Sequence, residues 1–161
     1  MGSPERTQVV TAEPATFRVS PLAFHYYATE YLEAAPRARA HAGERFSPVP
    51  YFLYCRTIEL VLKAFLLAKG VPKRVLKDKI GHSLSAALSR ARREGLDDVI
   101  TLKPEELKQI QKASPQYLTK EFEYFEVFHM VTRSQLPDLG SLEVAASRLV
   151  RDLKQVCVNA A

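Results

Sequence analysis

Tyr51-Phe52-Leu53-Tyr54-Cys55-Arg56-Thr57-Ile58-Glu59-Leu60-Val61-Leu62-Lys63-Ala64-Phe65-Leu66-Leu67-Ala68-Lys69, wound at 3.6 residues per turn, is apolar on nearly every side. A surface helix keeps one polar face, so this one belongs at the centre of a helical protein. Ser47-Pro48-Val49-Pro50 opens it, because proline fits the first helical turn, where its missing N–H is not needed. Gly70 is the expected stop, with Pro72 just beyond. The predicted central helix runs from about Pro50 to Ala68.

Three charges interrupt this run. Arg56, Glu59 and Lys63 stand at i, i+3 and i+7 and share one face. Glu59 to Lys63 is also the favourable i, i+4 order. On an exposed helix each such pair contributes only ~0.3–0.5 kcal/mol. On a helix apolar all round, a charge without a partner is too costly to bury. The line therefore either faces a ligand or catalytic cleft, or is closed by other polar groups into a network that fixes helix register. His82 is a candidate partner. It follows Gly81 at the start of the next helix, where the helix dipole disfavours an imidazolium. A neutral ring there can accept a hydrogen bond from Arg56 or donate one to Glu59. A capping or packing role is the plainer reading.

Working outward, Ser20-Pro21 announces a first helix that should end before Pro36, with Leu22, Tyr26 and Leu32 on its apolar face and His25 packing or at the surface. A polar loop, Arg37 to Arg45, follows. Beyond the central helix, Pro72 to Gly81 is a basic connector with room for one or two helical turns. A third helix spans about Ser83 to Glu94, with Leu84, Ala87, Leu88 and Ala91 inward. A fourth runs from Pro104 to about Ala113. Phe122 to Val131 is aromatic and β-branched with partial alternation, so the segment near 121–132 reads as extended or a short hairpin, a continued helix being the alternative. Ser141 caps a last helix to about Val156, with Leu142, Ala145, Leu149 and Leu153 as its core stripe. The expected class is all-α, a bundle of about five helices over residues 20–161, preceded by a flexible N-terminal arm, 1–19.

Composition bounds the function. With 161 residues, 47% of them hydrophobic, the chain can bury one core without staples. Cys55 and Cys157 lack the spacing of a metal knuckle and read as free thiols in a reducing compartment, although spacing leaves a bridge between them open. No stretch approaches the ~20 apolar residues of a membrane span, and the N-terminus has no signal-peptide block. The expectation is a cytoplasmic protein with no membrane contact. His25, His41, His82 and His129 lack ligand spacing, and no Gly-rich phosphate loop, H-E-x-x-H or G-x-S-x-G occurs. No metal and no cofactor is expected.

The net charge is +5, and its distribution is uneven. Lys63, Lys69, Lys73, Arg74, Lys77, Lys79, Arg90, Arg92 and Arg93 meet a single acid, Asp78, within one segment. That local excess of +8 leaves the rest of the chain at −3. Two readings stand: a solvated linker and helix face, or a patch for RNA or another polyanion. The three arginines near a helix C-terminus also have a structural reason, since they complement its dipole.

The central helix with Arg56, Glu59 and Lys63, the basic connector, Ile80-Gly81-His82-Ser83-Leu84 and Gly95 together resemble the HEPN (higher eukaryotes and prokaryotes nucleotide-binding) families. The resemblance spans Pro50 to Gly95, with weaker echoes at Tyr117 and Pro137. It implies a small helical bundle, usually a homodimer. It further implies a metal-independent RNA-cleaving toxin or defence effector, an inactive scaffold, or the partner of a nucleotidyltransferase or antitoxin. Ribonuclease members carry Arg-x(4–6)-His on a late helix. Here Arg74 to His82 is too long and Arg37 to His41 too short, while Ser20-Pro21 separates Arg18 from His25. The expectation is therefore a non-catalytic module that binds RNA, a nucleotide or an acidic partner protein. The alternative is a divergent endoribonuclease with His82, Arg56 and Glu59 as candidate catalytic residues.

Overall fold

The computed structural model describes residues 20–124 and 136–160. It is all-helical, with no strand among those residues. The helices are α1 (Pro21–Ala42), α2 (Val49–Ala68), the three-residue α3 (Lys73–Val75), α4 (Leu84–Arg93), α5 (Pro104–Leu118) and α6 (Leu139–Asn159). Helix α2 packs against α1, α4, α5 and α6. Ten consecutive residues, Thr57 to Leu66, are buried, as a helix apolar on all sides requires. Around them, α1 and α2 form a helical hairpin, α6 lies against both, and α4 and α5 cover another side.

Local chemistry explains most element ends. The Ser20 hydroxyl accepts from the Ala23 N–H at 3.1 Å and Pro21 occupies the first turn of α1. Gly70 closes α2 at φ +81°, with the Val71 N–H donating back to the Leu66 carbonyl at 2.9 Å. Ser83 caps α4 through the Ala86 N–H, and Leu84, Ala87, Leu88 and Ala91 are all buried.

Three expected boundaries move. Helix α1 continues through Pro36 to Ala42, so the loop begins only at Gly43. A proline inside a helix forfeits one hydrogen bond and costs roughly 3 kcal/mol. Around that proline, Ala35 is buried and Arg39 pairs with Glu143 of α6 at 3.1 Å, so tertiary contacts continue on both sides of it. Helix α5 likewise passes Pro115 to Leu118, held by buried Ser114 and Tyr117 and by the Ser85 N–H donating to the Ser114 hydroxyl at 3.0 Å. Asp138 rather than Ser141 caps α6: its carboxylate accepts the Ser141 N–H at 2.7 Å, and Leu142, Ala145, Leu149 and Leu153 face the core.

His25 is a packing residue, its Nε2 lying 2.7 Å from the Val150 carbonyl and tying α1 to α6. Cys55 and Cys157 are buried, free thiols. Burial pushes both up, Cys157 to about 11, so neither is an activated nucleophile. No described helix is long and apolar enough to cross a membrane. The expected extended segment lies outside the described residues except for its first few; among these, Phe122 is buried and stacks on Tyr51 at 5.5 Å. The N-terminal arm, residues 1–19, also lies outside them.

Candidate functional site

Glu59 is the centre of the polar line, and it is 1% exposed. Its carboxylate accepts from Lys63 Nζ at 2.6 Å and from an Arg56 guanidinium nitrogen at 3.0 Å. Two more donors arrive from other elements. Tyr117, on α5, donates its hydroxyl at 2.5 Å. His82 Nδ1 lies 3.2 and 3.3 Å from the two carboxylate oxygens. Burial pushes the Glu59 carboxyl up, but Lys63, Tyr117 and Arg56 outweigh it and hold it below the ordinary glutamate range. An ionised carboxylate only accepts, so the His82 Nδ1 donates. Of the two roles open to the imidazole, donation to Glu59 is the one formed.

The partners are shaped by the same acid. Burial works against the Arg56 charge, but Glu59 outweighs it and raises its pKa, so the guanidinium stays charged. Burial and the neighbouring carboxylate raise the Tyr117 phenol, so its proton stays on. Arg56 also lies over the Tyr31 ring at 5.9 Å. Tyr117 meets the edge of the His82 ring at 6.4 Å.

Backbone geometry delivers His82. After α3 the chain makes a π-helical turn, Leu76–Ile80, closed by the Gly81 N–H donating to the Leu76 carbonyl at 3.0 Å. Gly81 adopts φ +57°, ψ −125°, a region open to glycine and strained for other residues. Leu76 and Ile80 anchor this turn in the core, while Lys73, Arg74, Lys77 and Lys79 stay exposed.

The basic patch divides. Arg90 pairs with Glu94 at 2.7 Å and Arg92 with Asp97 at 2.9 Å, so their charges are met locally. Lys69 Nζ lies 5.4 Å from the Phe65 ring centre. Lys79 and Arg93 are exposed and stand apart from the site. Lys73, Arg74 and Lys77 line one cleft together with Lys63 and His82, and Phe24, Leu76 and Gly81 complete it. Its volume is about 470 Å³, within the ordinary range for a ligand pocket. No acidic side chain among the described residues lines it. A larger hollow of about 560 Å³ near the α1–α2 loop mixes Arg39 and Arg45 with Glu44 and Asp138 and has no such bias.

The candidate line and the connector are thus joined through Lys63 and His82. Tyr117 is the network member that spacing did not reveal as a partner, being 58 residues from Glu59. Its only local signal is an amphipathic side chain on the buried face of α5, which must bring its hydroxyl to a partner when enclosed. Family models, curated proteins and solved structures contain no match to this chain.

Proposed function

We propose that the chain is a HEPN-like binding module whose cleft takes phosphate groups, with RNA as the ligand. One observation carries the reading: Lys63, Lys73, Arg74, Lys77 and His82 converge on one hollow that no described acid lines. Clustered cations around a low-dielectric wall raise the local potential and favour a polyanion over a neutral ligand. The resemblance adds a homodimer to this reading. Fluorescence anisotropy with labelled RNA across salt tests the binding. If three phosphates are neutralised, log K should fall with log salt at a slope of about −2. Charge reversal at Lys73, Arg74 and Lys77 should abolish binding. Unchanged binding in that variant would remove the cleft from consideration.

A divergent metal-independent endoribonuclease is the second reading, favoured by the His82–Glu59 contact. A carboxylate that holds Nδ1–H leaves Nε2 free to accept a proton, and Lys63 supplies a cation for developing phosphate charge. Wild-type cleavage lost in His82→Ala supports it; cleavage that persists in that variant removes it.

A further inference from the structure

His82 belongs both to the buried network and to the open cleft. On one side its Nδ1 lies 3.2 and 3.3 Å from the two oxygens of the Glu59 carboxylate. On the other the residue lines the cleft with Lys63, Lys73, Arg74 and Lys77. Its side chain is 57% exposed, so the ring is open to water and to a ligand in the cleft. Lysine and arginine ordinarily hold their charge throughout the neutral range. Histidine is the one residue type on this wall whose ordinary titration falls between about pH 5 and 8.

The other groups around the ring do not titrate there. Against burial, Lys63, Tyr117 and Arg56 hold Glu59, on α2, ionised. Burial and the Glu59 charge keep the proton on Tyr117, which meets the ring from α5. Lys73, Arg74 and Lys77 come from the connector, and the ring itself precedes the N-terminus of α4. Asp78 and Lys79, on the same turn, do not line the cleft. In the empty cleft an imidazolium is favoured by Glu59 and opposed by the connector cations and the α4 dipole. Phosphates in the cleft offset those cations and offer the ring an acceptor. With Nδ1–H given to Glu59, Nε2 is where a neutral ring takes up its proton. Phosphate binding and protonation therefore favour each other, equally in both directions.

Resting on the reading of the cleft as a phosphate site, we propose that RNA binding is coupled to protonation of His82, which makes the ring a further cation on the phosphates and tightens binding as pH falls through the neutral range. The Glu59 contact has a part in this: it holds the ring at the cleft wall by one nitrogen and leaves the other for the proton.

The test uses the whole chain and an oligouridylate without a terminal phosphate, whose diesters each keep one negative charge over this range. Anisotropy of a rhodamine label is followed from about pH 8 to about pH 5.5 at fixed ionic strength. Affinity should rise about tenfold, the value of one charge-assisted hydrogen bond. The slope of log K against log salt should steepen by about 0.7, one phosphate more. Calorimetry in buffers of different ionisation heat should count about half a proton taken up per RNA at the steepest point of the rise, as a tenfold coupling requires. That count is made on the wild type and stands whatever a variant does to the fold. His82→Asn keeps an amide donor near the Nδ1 position and cannot take up a proton, so it should lose the gain at low pH. His41→Gln changes an exposed histidine that lines another hollow and should retain the gain. A flat wild-type affinity, with binding still abolished by charge reversal at Lys73, Arg74 and Lys77, overturns the proton coupling and leaves the phosphate cleft standing. A gain that survives in His82→Asn overturns it as well, by moving the proton to another group. Absence of RNA binding at every pH overturns both proposals.

Discussion

Replacing Glu59 by Gln keeps the shape of the side chain and removes its charge, which isolates what the carboxylate does. In the wild type that group accepts from Lys63, Arg56, His82 and Tyr117 while almost wholly enclosed. Removing one partner of a buried pair typically costs about 3–5 kcal/mol, because the other charge is left uncompensated. The two cations differ in how far they can escape. The Lys63 side chain is 11% exposed and stays trapped, whereas that of Arg56 is 28% exposed and can turn toward water. The lower end of the range applies, about 3 kcal/mol. For a chain of this size each kcal/mol shifts Tm by roughly 2–4 °C, so Tm should fall by about 6–12 °C. A domain of ordinary stability, about 5–15 kcal/mol, still folds after that loss. Urea unfolding followed by circular dichroism measures it as a lower midpoint at unchanged slope. The double variant Glu59→Gln with Lys63→Met removes the stranded ammonium while keeping its apolar stem. It should recover about 1 kcal/mol or more relative to Glu59→Gln alone. A loss below about 1 kcal/mol in the single variant would show that the carboxylate is effectively solvated. A double variant no more stable than the single one would show that Lys63 does not depend on it.

Acidification provides an independent reading of the same group. The folded carboxyl is held below its ordinary range, so the unfolded chain binds more protons between the two values. The stabilisation is complete above the unfolded value near 4.3 and is lost as pH falls through that value toward the folded one. The urea midpoint should drop over that window, and the drop should be shallower in Glu59→Gln; Asp138 and Asp152, whose carboxyls are also lowered by their hydrogen-bond partners, leave a residual slope. Tyr117→Phe deletes a hydroxyl that donates to a charged acceptor and should cost about 1.5–3 kcal/mol in the same assay; a neutral effect would place the phenol outside the network. Gly81→Ala forces a side chain onto a backbone at φ +57°, ψ −125°. It should cost roughly 1–3 kcal/mol and displace His82, seen as a changed imidazole resonance by NMR; an unshifted resonance would separate the turn from the site.

How much of this was legible in the sequence depends on how far each signal reaches along the chain. The centrality of α2, its stop at Gly70, the capping of α4 at Ser83 and the buried stripe of α4 all follow from residues within a turn or two of each other, and all stand in the structure. The extensions through Pro36 and Pro115 were not legible. The local cost of a proline is visible in the sequence, but the tertiary burial of Ala35, Ser114 and Tyr117 that outweighs it is not. Asp138 rather than Ser141 caps α6 because the helix starts between Pro137 and Gly140, ahead of the serine, whose N–H the Asp138 carboxylate accepts. The Arg56–Glu59–Lys63 line and its meeting with His82 were legible, since charges on an all-apolar helix demand partners and Gly81 marks where the chain turns back. Tyr117 as a partner was not, because nothing in local spacing encodes a contact across 58 residues. The charge of the patch was overread for one physical reason. The basic segment ends at Arg93, and Glu94 and Asp97, which neutralise Arg90 and Arg92, come just after it.

The charge count of the buried cluster separates a staple from a site. Glu59 and Lys63 alone satisfy an i, i+4 pair and hold the register of α2. Arg56 adds a second cation to the same carboxylate, and Tyr117 and His82 occupy its remaining acceptor sites. The acid is saturated, and the cluster still carries more positive than negative charge. A staple gains nothing from that surplus, since each further buried ion adds desolvation that a shared carboxylate does not fully offset. The connector repeats the pattern on the opposite wall. Its turn is held by Leu76 and Ile80, both buried, and that anchorage is indifferent to what stands at the exposed positions 73, 74 and 77. Those positions are nevertheless lysine, arginine and lysine, and all three face the cleft that Lys63 enters from α2. Glu59 meets the charge of Lys63 on the α2 wall, whereas no acid among the described residues lines the cleft beside Lys73, Arg74 and Lys77. Under the proposed function, a phosphate ligand is the counter-charge that the cleft's described lining does not provide, whereas Glu94 and Asp97 provide it to Arg90 and Arg92.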